Sequence, residues 1–240
     1  MKLRTLTASL ALAAGLGIAP ASQALDLGNL AGGLVNLAKA ATLSDDDAKE
    51  LAFDAAQHMD SQNKIAPPNS PYAKRLARIV KGLNQEDGLA LNFKVYLTKE
   101  VNAFAMANGT VRVYAGLLDA MTDDEVRFVI GHEVGHVKLG HSKKAMQVAY
   151  TASGVRGLAA ASGNQAVAQL SASAIGGFAE ALVNAQFSQS QENEADTYSV
   201  GFMKRHNYPP AAAVSALRKL QALGDGASIL SSHPASSERA

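Results

Sequence analysis

The stretch DDEVRFVIGHEVGHVKLGHS, residues 123–142, places His132, His136 and His141 within ten residues of a chain that has six histidines in 240. Its apolar positions, Val126, Phe128 to Ile130, Val134 and Val137, fall all around a helix, so the spacing predicts a buried one. Thr122 caps its start, and Glu125 three residues later completes a capping box. Gly140 marks its end. Residues four apart share one helical face, so His132 and His136 present two imidazoles one turn apart, inside the protein.

Two such imidazoles can ligate one ion at about 2 Å each. Glu133 is turned about 100° from His132, off the ligand face and beside the ion. There it can act as a general base toward a water molecule. This is the HExxH arrangement, and its occurrence by chance here has a probability on the order of 1%. The competing reading is a pair of structural core histidines. Unpaired buried imidazoles next to a carboxylate carry a free-energy cost that such a reading leaves unexplained.

A catalytic zinc needs a third protein ligand and an open position. His141 lies nine residues after His132. The metzincin pattern would require histidine at position 142 and glycine at 139, where this chain has Ser142 and Leu139. His141 therefore reads as a cation-capable residue near a helix C-terminus. A better third ligand lies in ENEAD, residues 192–196. Glu192 and Asp196 are one turn apart, so Glu192 can complete the metal shell. Asp196 can hydrogen-bond the outer nitrogen of a ligating histidine. Glu194 is the rival ligand, about 200° around the helix from Asp196.

The chain opens MKLRTLTASLALAAGLGIAPASQALDLG. Basic Lys2 and Arg4, an apolar run to Ile18, and small Ser22 and Ala24 have the form of an export signal cleaved after residue 24. The apolar run is short for a membrane span and is interrupted by Gly15, Gly17 and Pro20. There are 22 basic and 21 acidic residues. Removing Lys2 and Arg4 would leave 20 against 21, a net charge of −1, which gives no support for nucleic-acid binding. With no cysteine, the chain has no disulfide and no thiolate ligand, and the lack of cysteine near the expected cleavage site argues against an N-terminal lipid anchor.

Along the expected mature chain, residues 25–43 read as a loose lead-in or short helix. Ser44 caps a helix to about Ser61. A second helix is expected from Tyr72 to about Gln85, with Tyr72, Leu76, Ile79, Val80 and Leu83 on one face. ALNFKVYL alternates as a half-buried strand, with Asn92, Lys94 and Tyr96 on the side away from the core. NAFAMANGTVRVYAG reads as a hairpin turning at Asn108-Gly109. Residues 157–179 carry no charge, but are rich in alanine and polar residues, which suits small-residue helix packing better than a span. Further helices are expected from about Phe187 to Lys204 and from Ala211 to Leu223. The fold class is α+β and mostly helical, with a small antiparallel or mixed sheet of about three strands. One domain is expected over residues 44–240.

HEVGH, ENEAD, NAFAMANGTVRVYAGLL and HPASSER (residues 233–239), in that order, together resemble the M48 family of zinc metallopeptidases, and in particular its exported bacterial, LoiP-like members. The resemblance runs from about Leu43 to the C-terminus. It implies a zincin fold and one zinc per chain held by His132, His136 and Glu192. It also implies Glu133 as base and Asp196 as partner of a ligating histidine. The activity implied is endopeptidase cleavage of misfolded or envelope proteins, in the periplasm and for some members at the outer membrane. The strand Ala103, Phe104, Ala105 would be the sheet edge on which an extended substrate adds. His233 and Arg239 match the family's HPxxxxR pattern. His233 would occupy or shield the open metal position or stabilise the oxyanion, and Arg239 would hold a carboxylate nearby. The chain ends one residue after Arg239, short of the helix expected to follow, which bears on the placement of Arg239. A holdase that binds unfolded chains and uses zinc structurally is the alternative from another class.

Overall fold

The computed structural model describes residues 26–161, 174–224 and 228–233. The order is α1 (Leu27–Thr42), α2 (Asp45–Gln62), α3 (Pro71–Ile79), β1 (Gln85–Glu86), β2 (Leu89–Ala90), β3 (Asn92–Tyr96), β4 (Ala103–Ala105) and β5 (Thr110–Tyr114). It continues with α4 (Ala115–Ala120), α5 (Asp123–Lys138), α6 (His141–Ala161), α7 (Ala174–Val183), α8 (Gln189–Arg205), α9 (Ala211–Leu223) and α10 (Ile229–Ser232). The fold is α+β and mostly helical, as expected.

The sheet runs β3-β5-β4, with β5 parallel to β3 and antiparallel to β4. The β4–β5 hairpin closes at Gly109, whose φ of 83° lies in the left-handed region that glycine reaches without strain. A Cβ there would sit 2.1 Å from the Ala90 carbonyl oxygen, so the turn admits only glycine. A separate two-stranded ribbon pairs β1 with β2.

Every residue of β5 is buried, because helices cover both faces of the sheet. On one side Val95, Val111 and Val113 pack with Val126, Phe128, Val129 and Ile130 of α5 and with Leu76 and Ile79 of α3. On the other side Tyr96, Phe104 and Tyr114 pack on Ala48, Ala52, Ala55 and Ala56 of α2. The three aromatic rings lie 5.7–6.3 Å apart, within the range of favourable tilted contacts.

This second layer corrects the strand reading. Tyr96 is fully buried, not turned to solvent. It donates to Asp60 Oδ1 at 2.8 Å, Lys94 donates to Oδ2 at 2.7 Å, and Arg112 clamps both oxygens at 2.8 and 2.9 Å. The polar face of β3 is thus a site for the α2 carboxylate, which an alternating pattern alone cannot distinguish from a wet face. The second helix is also shorter than expected. α3 ends at Ile79 with Val80 as its cap, and Gly82 at a φ of 86° turns the chain. Leu83 is still buried, from outside the helix.

The lead-in forms a full helix, α1, capped by Asp26, which lies along α6. Their crossing is close. A Cβ on Gly33 would be 2.9 Å from the Gly154 carbonyl, and one on Gly154 2.7 Å from Leu37. Of the uncharged segment 157–179, α6 holds the first residues and α7 the last, and 162–173 lie outside the described residues. Among the described residues no helix is long and apolar enough to cross a membrane.

Asp60 provides a test of the second layer. Burial alone would raise its pKa, but the bonds from Arg112, Lys94 and Tyr96 outweigh this and hold it at about 2, below its ordinary 3.8. A depressed carboxylate stabilises the fold fully above its unfolded pKa, and that share is lost as pH falls toward 2. Asp60→Ala leaves the Arg112 guanidinium, 2% exposed, buried without its counter-charge, at a cost of about 3 kcal/mol. Urea midpoints of wild type and variant should differ by this amount at pH 7 and converge toward pH 2.

Candidate active site

The site is assembled by α5 and α8. α5 starts at the Thr122 box, in which the Thr122 N–H donates to Glu125 Oε2 at 2.7 Å and the Glu125 N–H to Thr122 Oγ1 at 3.4 Å. Lys219 of α9 donates to the same Oε2 at 2.7 Å. α8 starts at Ser188 with a box of its own. The two helices meet at glycines. A Cβ on Gly131 would come within 2.6 Å of the Phe202 ring and 2.7 Å of Ser199 Oγ, and one on Gly135 within 3.0 Å of Tyr198. Ser199 uses the close approach to donate to the Phe128 carbonyl at 2.6 Å.

That contact brings Glu192 to the histidines. His132 Nε2 and His136 Nε2 are 3.0 Å apart. Glu192 Oε1 lies 3.3 Å from His136 Nε2, and its Oε2 lies 3.6 Å from His132 Nε2. His233, just past α10, points Nδ1 into the same group, 3.2 Å from His132 Nε2 and 2.9 Å from Glu192 Oε1. All four residues are buried, and one donor atom from each lies within 4.8 Å of the others. Donors at about 2.0–2.1 Å from a tetrahedral zinc are about 3.4 Å apart. The separations of 2.9–3.6 Å fit that ion.

Protonation favours a cation as well. Burial keeps His136 neutral, its pKa pushed down to about 2 against the pull of Glu192. A neutral imidazole is the ligating form. Burial would raise Glu192, but hydrogen bonds with His136 and His233 prevail and hold it ionised. Asp196 Oδ1 receives the outer nitrogen of His132, Nδ1, at 2.8 Å. Glu133 is 4% exposed and points elsewhere on the helix, as its position one residue from His132 dictates. Its Oε1 makes no hydrogen bond and lies 3.3 Å from His233 Nε2. Burial raises its pKa, opposed by His233, His132 and the Ala105 backbone.

A narrow cleft opens over Glu133 and His136, walled by Ala105, Met106, Met146 and Phe187. β4 is one of the two outer strands of the sheet, and it passes along this cleft. Ala103 and Phe104 are buried, and Ala105 is half-buried. Arg239 lies outside the described residues.

Two features differ from the sequence reading. His141 lies just past the C-terminus of α5, as read, but it is more than a residue facing that helix end. It opens α6, and its Nδ1 meets His136 Nδ1 at 3.0 Å. Phe187 is not part of α8 but precedes its cap, and its ring stacks on His136 with centroids 3.9 Å apart. The clustering of three histidines was the available signal for His141. No pattern marked Phe187, because only the path of the loop brings it over the site.

Two imidazoles and a carboxylate on one buried helix, with Glu192 from a second helix and His233 completing a group of donors at metal-site spacing, have the pattern of a metallopeptidase. Residues 71–240 match the profile of Peptidase family M48. The whole chain is 47% identical to metalloprotease LoiP of Escherichia coli (strain K12), over 95% of that protein. It is 46% identical to metalloprotease YcaL of the same organism, over 86% of this chain and 82% of that one. A more distant relative is the Beta-barrel assembly-enhancing protease of Yersinia pestis, 28% identical over 85% of this chain and 42% of that protein. The chain belongs to peptidase family M48, and is a metalloendopeptidase.

The glycine contact can be tested. Gly131→Val forces α8 outward and should cost about 1–3 kcal/mol by overpacking. Because Glu192 moves with α8, zinc affinity should fall as well. Gly201→Ala, where the nearest atom to an added Cβ is 3.5 Å away, should leave both unchanged or raise stability slightly. Urea denaturation and chelator competition on both variants check this.

Proposed function

We propose that this enzyme is a zinc endopeptidase of the bacterial envelope that cleaves unfolded or misfolded polypeptides. Zinc is held by His132, His136 and Glu192. The carrying observation is the buried group of donor atoms at tetrahedral spacing beside the Glu133 carboxylate. A zinc ion there supplies Lewis acidity, polarising the scissile carbonyl and lowering the pKa of the attacking water. Glu133 takes the proton of that water on its carboxylate and returns it to the leaving amine. Its raised pKa suits a base that must also act as acid. Asp196 fixes the His132 tautomer by holding Nδ1–H, which leaves Nε2 free to ligate.

An extended substrate adds along Ala103, Phe104 and Ala105, the outer strand beside the cleft. The apolar wall formed by Met106, Met146 and Phe187 takes a side chain next to the scissile bond. The leader at residues 1–24 supports export, and the name of the relative that enhances β-barrel assembly accords with work in the envelope. Peripheral association with the outer membrane belongs to the same proposal, as does a carboxylate-holding role for Arg239.

His233 caps the site. With Nδ1 among the ligand atoms and Nε2 beside Glu133, it stands in the position a substrate carbonyl would take. This placement also favours a second reading, in which a fourth permanent ligand makes the zinc structural and the protein a holdase. Residues 25–240 of wild type, Glu133→Gln and His233→Ala separate the two in an assay on an unfolded protein. The peptidase should lose about 10³-fold in Glu133→Gln at full zinc content, and gain rate in His233→Ala. Absence of cleavage by all three with zinc bound would establish the holdase.

A further inference from the structure

We infer that His141 and Glu194 are positioning residues for the metal centre, forming a hydrogen-bonded chain from the His136 ligand to the protein surface. The inference rests on the zinc ligand set proposed above but does not depend on cleavage. His132 has a carboxylate, Asp196, directly on its outer nitrogen. His136 meets another imidazole instead, His141 Nδ1 at 3.0 Å. His141 Nε2 in turn lies 3.3 Å from Glu194 Oε2. Ser190, one turn earlier on α8, donates to Glu194 Oε1 at 2.9 Å and steadies the carboxylate.

The proton order in this chain follows from its end. An ionised carboxylate only accepts, so a neutral His141 carries its proton on Nε2. Its Nδ1 is then a lone pair, and at 3.0 Å it accepts from His136 Nδ1–H. The remaining nitrogen of His136, Nε2, is thereby the lone pair that faces His132 and Glu192. The opposite order fails at both ends. It would put a proton on His136 Nε2, where a ligand lone pair is needed, and would leave an unprotonated His141 nitrogen against an acceptor-only carboxylate. Glu194 thus sets the tautomer of His136 through His141, as Asp196 sets that of His132 directly.

Local structure explains why His141 can do this. Five residues after His136, it would lie off the ligand face if α5 continued. Gly140, at a φ of 77°, ends the helix and turns the chain back. His141 becomes the first residue of α6, 6% exposed and beneath the His136 ring. Glu194 is reached because it lies two residues from both Glu192 and Asp196, on the side of α8 toward α6. Its side chain is 53% exposed, so the chain ends in water.

The test is the zinc dissociation constant of residues 25–240, by competition with a chromophoric chelator, with the visible spectrum of the cobalt(II)-substituted protein as a signature of ligand orientation. His141→Phe keeps an aromatic ring and removes both hydrogen bonds. It should bind zinc about 10–100-fold more weakly, with a shifted cobalt spectrum and an unchanged melting temperature for the zinc-free protein. His141→Gln, which can accept and donate, should recover part of the loss. Glu194→Gln alters an exposed side chain and should weaken binding a few-fold, with wild-type melting. The inference is overturned if His141→Phe binds zinc within twofold of wild type with an unchanged cobalt spectrum. Should His141→Phe fail to fold, Glu194→Gln decides, and unchanged affinity and spectrum there overturn the inference. Wild type that binds zinc but cleaves nothing sinks the endopeptidase reading and leaves this one standing. Wild type that takes up no zinc overturns both.

Discussion

The contact between α5 and α8 is the constraint on which the rest of this structure depends. Two histidines on one turn are a half-built metal site, and what they lack must come from elsewhere in the chain, 56 residues away from His136 in the case of Glu192. Gly131 and Gly135 flank the histidines on the face that meets α8, and the absence of their side chains lets the two backbones close up. The Ser199 bond to the Phe128 carbonyl then fixes the register between the helices. With that register, Glu192 and Asp196, one turn apart, reach the inner nitrogens and the outer nitrogen of the histidine pair. A larger residue at either glycine would separate carboxylates from imidazoles without altering any ligand.

Burial then determines what the assembled group can do. Glu192 is completely buried and Glu133 nearly so. Two carboxylates so close together in a low-dielectric interior disfavour each other's ionisation. The histidines cannot relieve this simply by taking up protons, since burial holds His136 neutral. A divalent cation at the centre suits the state already present, an ionised Glu192 beside a neutral His136. Burial raises the proton affinity of Glu133, and positive charge beside it works in the opposite direction. The same low dielectric that makes the apo group costly strengthens its hold on a cation.

Much of this was legible in the sequence because it is local. The HExxH spacing, the Thr122 box, the Ser44 cap, the Asn108-Gly109 turn and the Glu192/Asp196 pair each depend on one or two turns of helix or a single hairpin; the caps and the turn form as read, and the spaced side chains come together around His132. What was not legible depends on chain path. The β3 alternation marks two faces but not what covers them, so Tyr96 read as outward until α2 supplied Asp60. Gly140 was recognised as a stop, yet the direction of the chain after it, which sends His141 back to His136, is set by α6 packing on α1. Phe187 reaches the site on a loop with no periodicity at all.

The placement of His233 links these two kinds of information. As a terminal residue outside the long helices it has little value by itself, yet α10 is tied back to the sheet, with the Ile229 N–H on the Val101 carbonyl at 3.1 Å. Val101 lies two residues before β4. The residues leading into β4, the strand proposed to take a substrate, therefore anchor the segment that carries His233. An extended chain added along β4 approaches the ground His233 holds between Glu133 and Glu192. Binding energy along the edge can offset the loss of those contacts, because a ligand shifts a conformational balance only by its difference in affinity for the two states. A short peptide that contacts β4 little would then leave His233 in place, whereas a long unfolded chain would displace it. If substrates add along β4 as proposed, discrimination would begin with the amount of edge a chain covers, before any pocket selects a side chain.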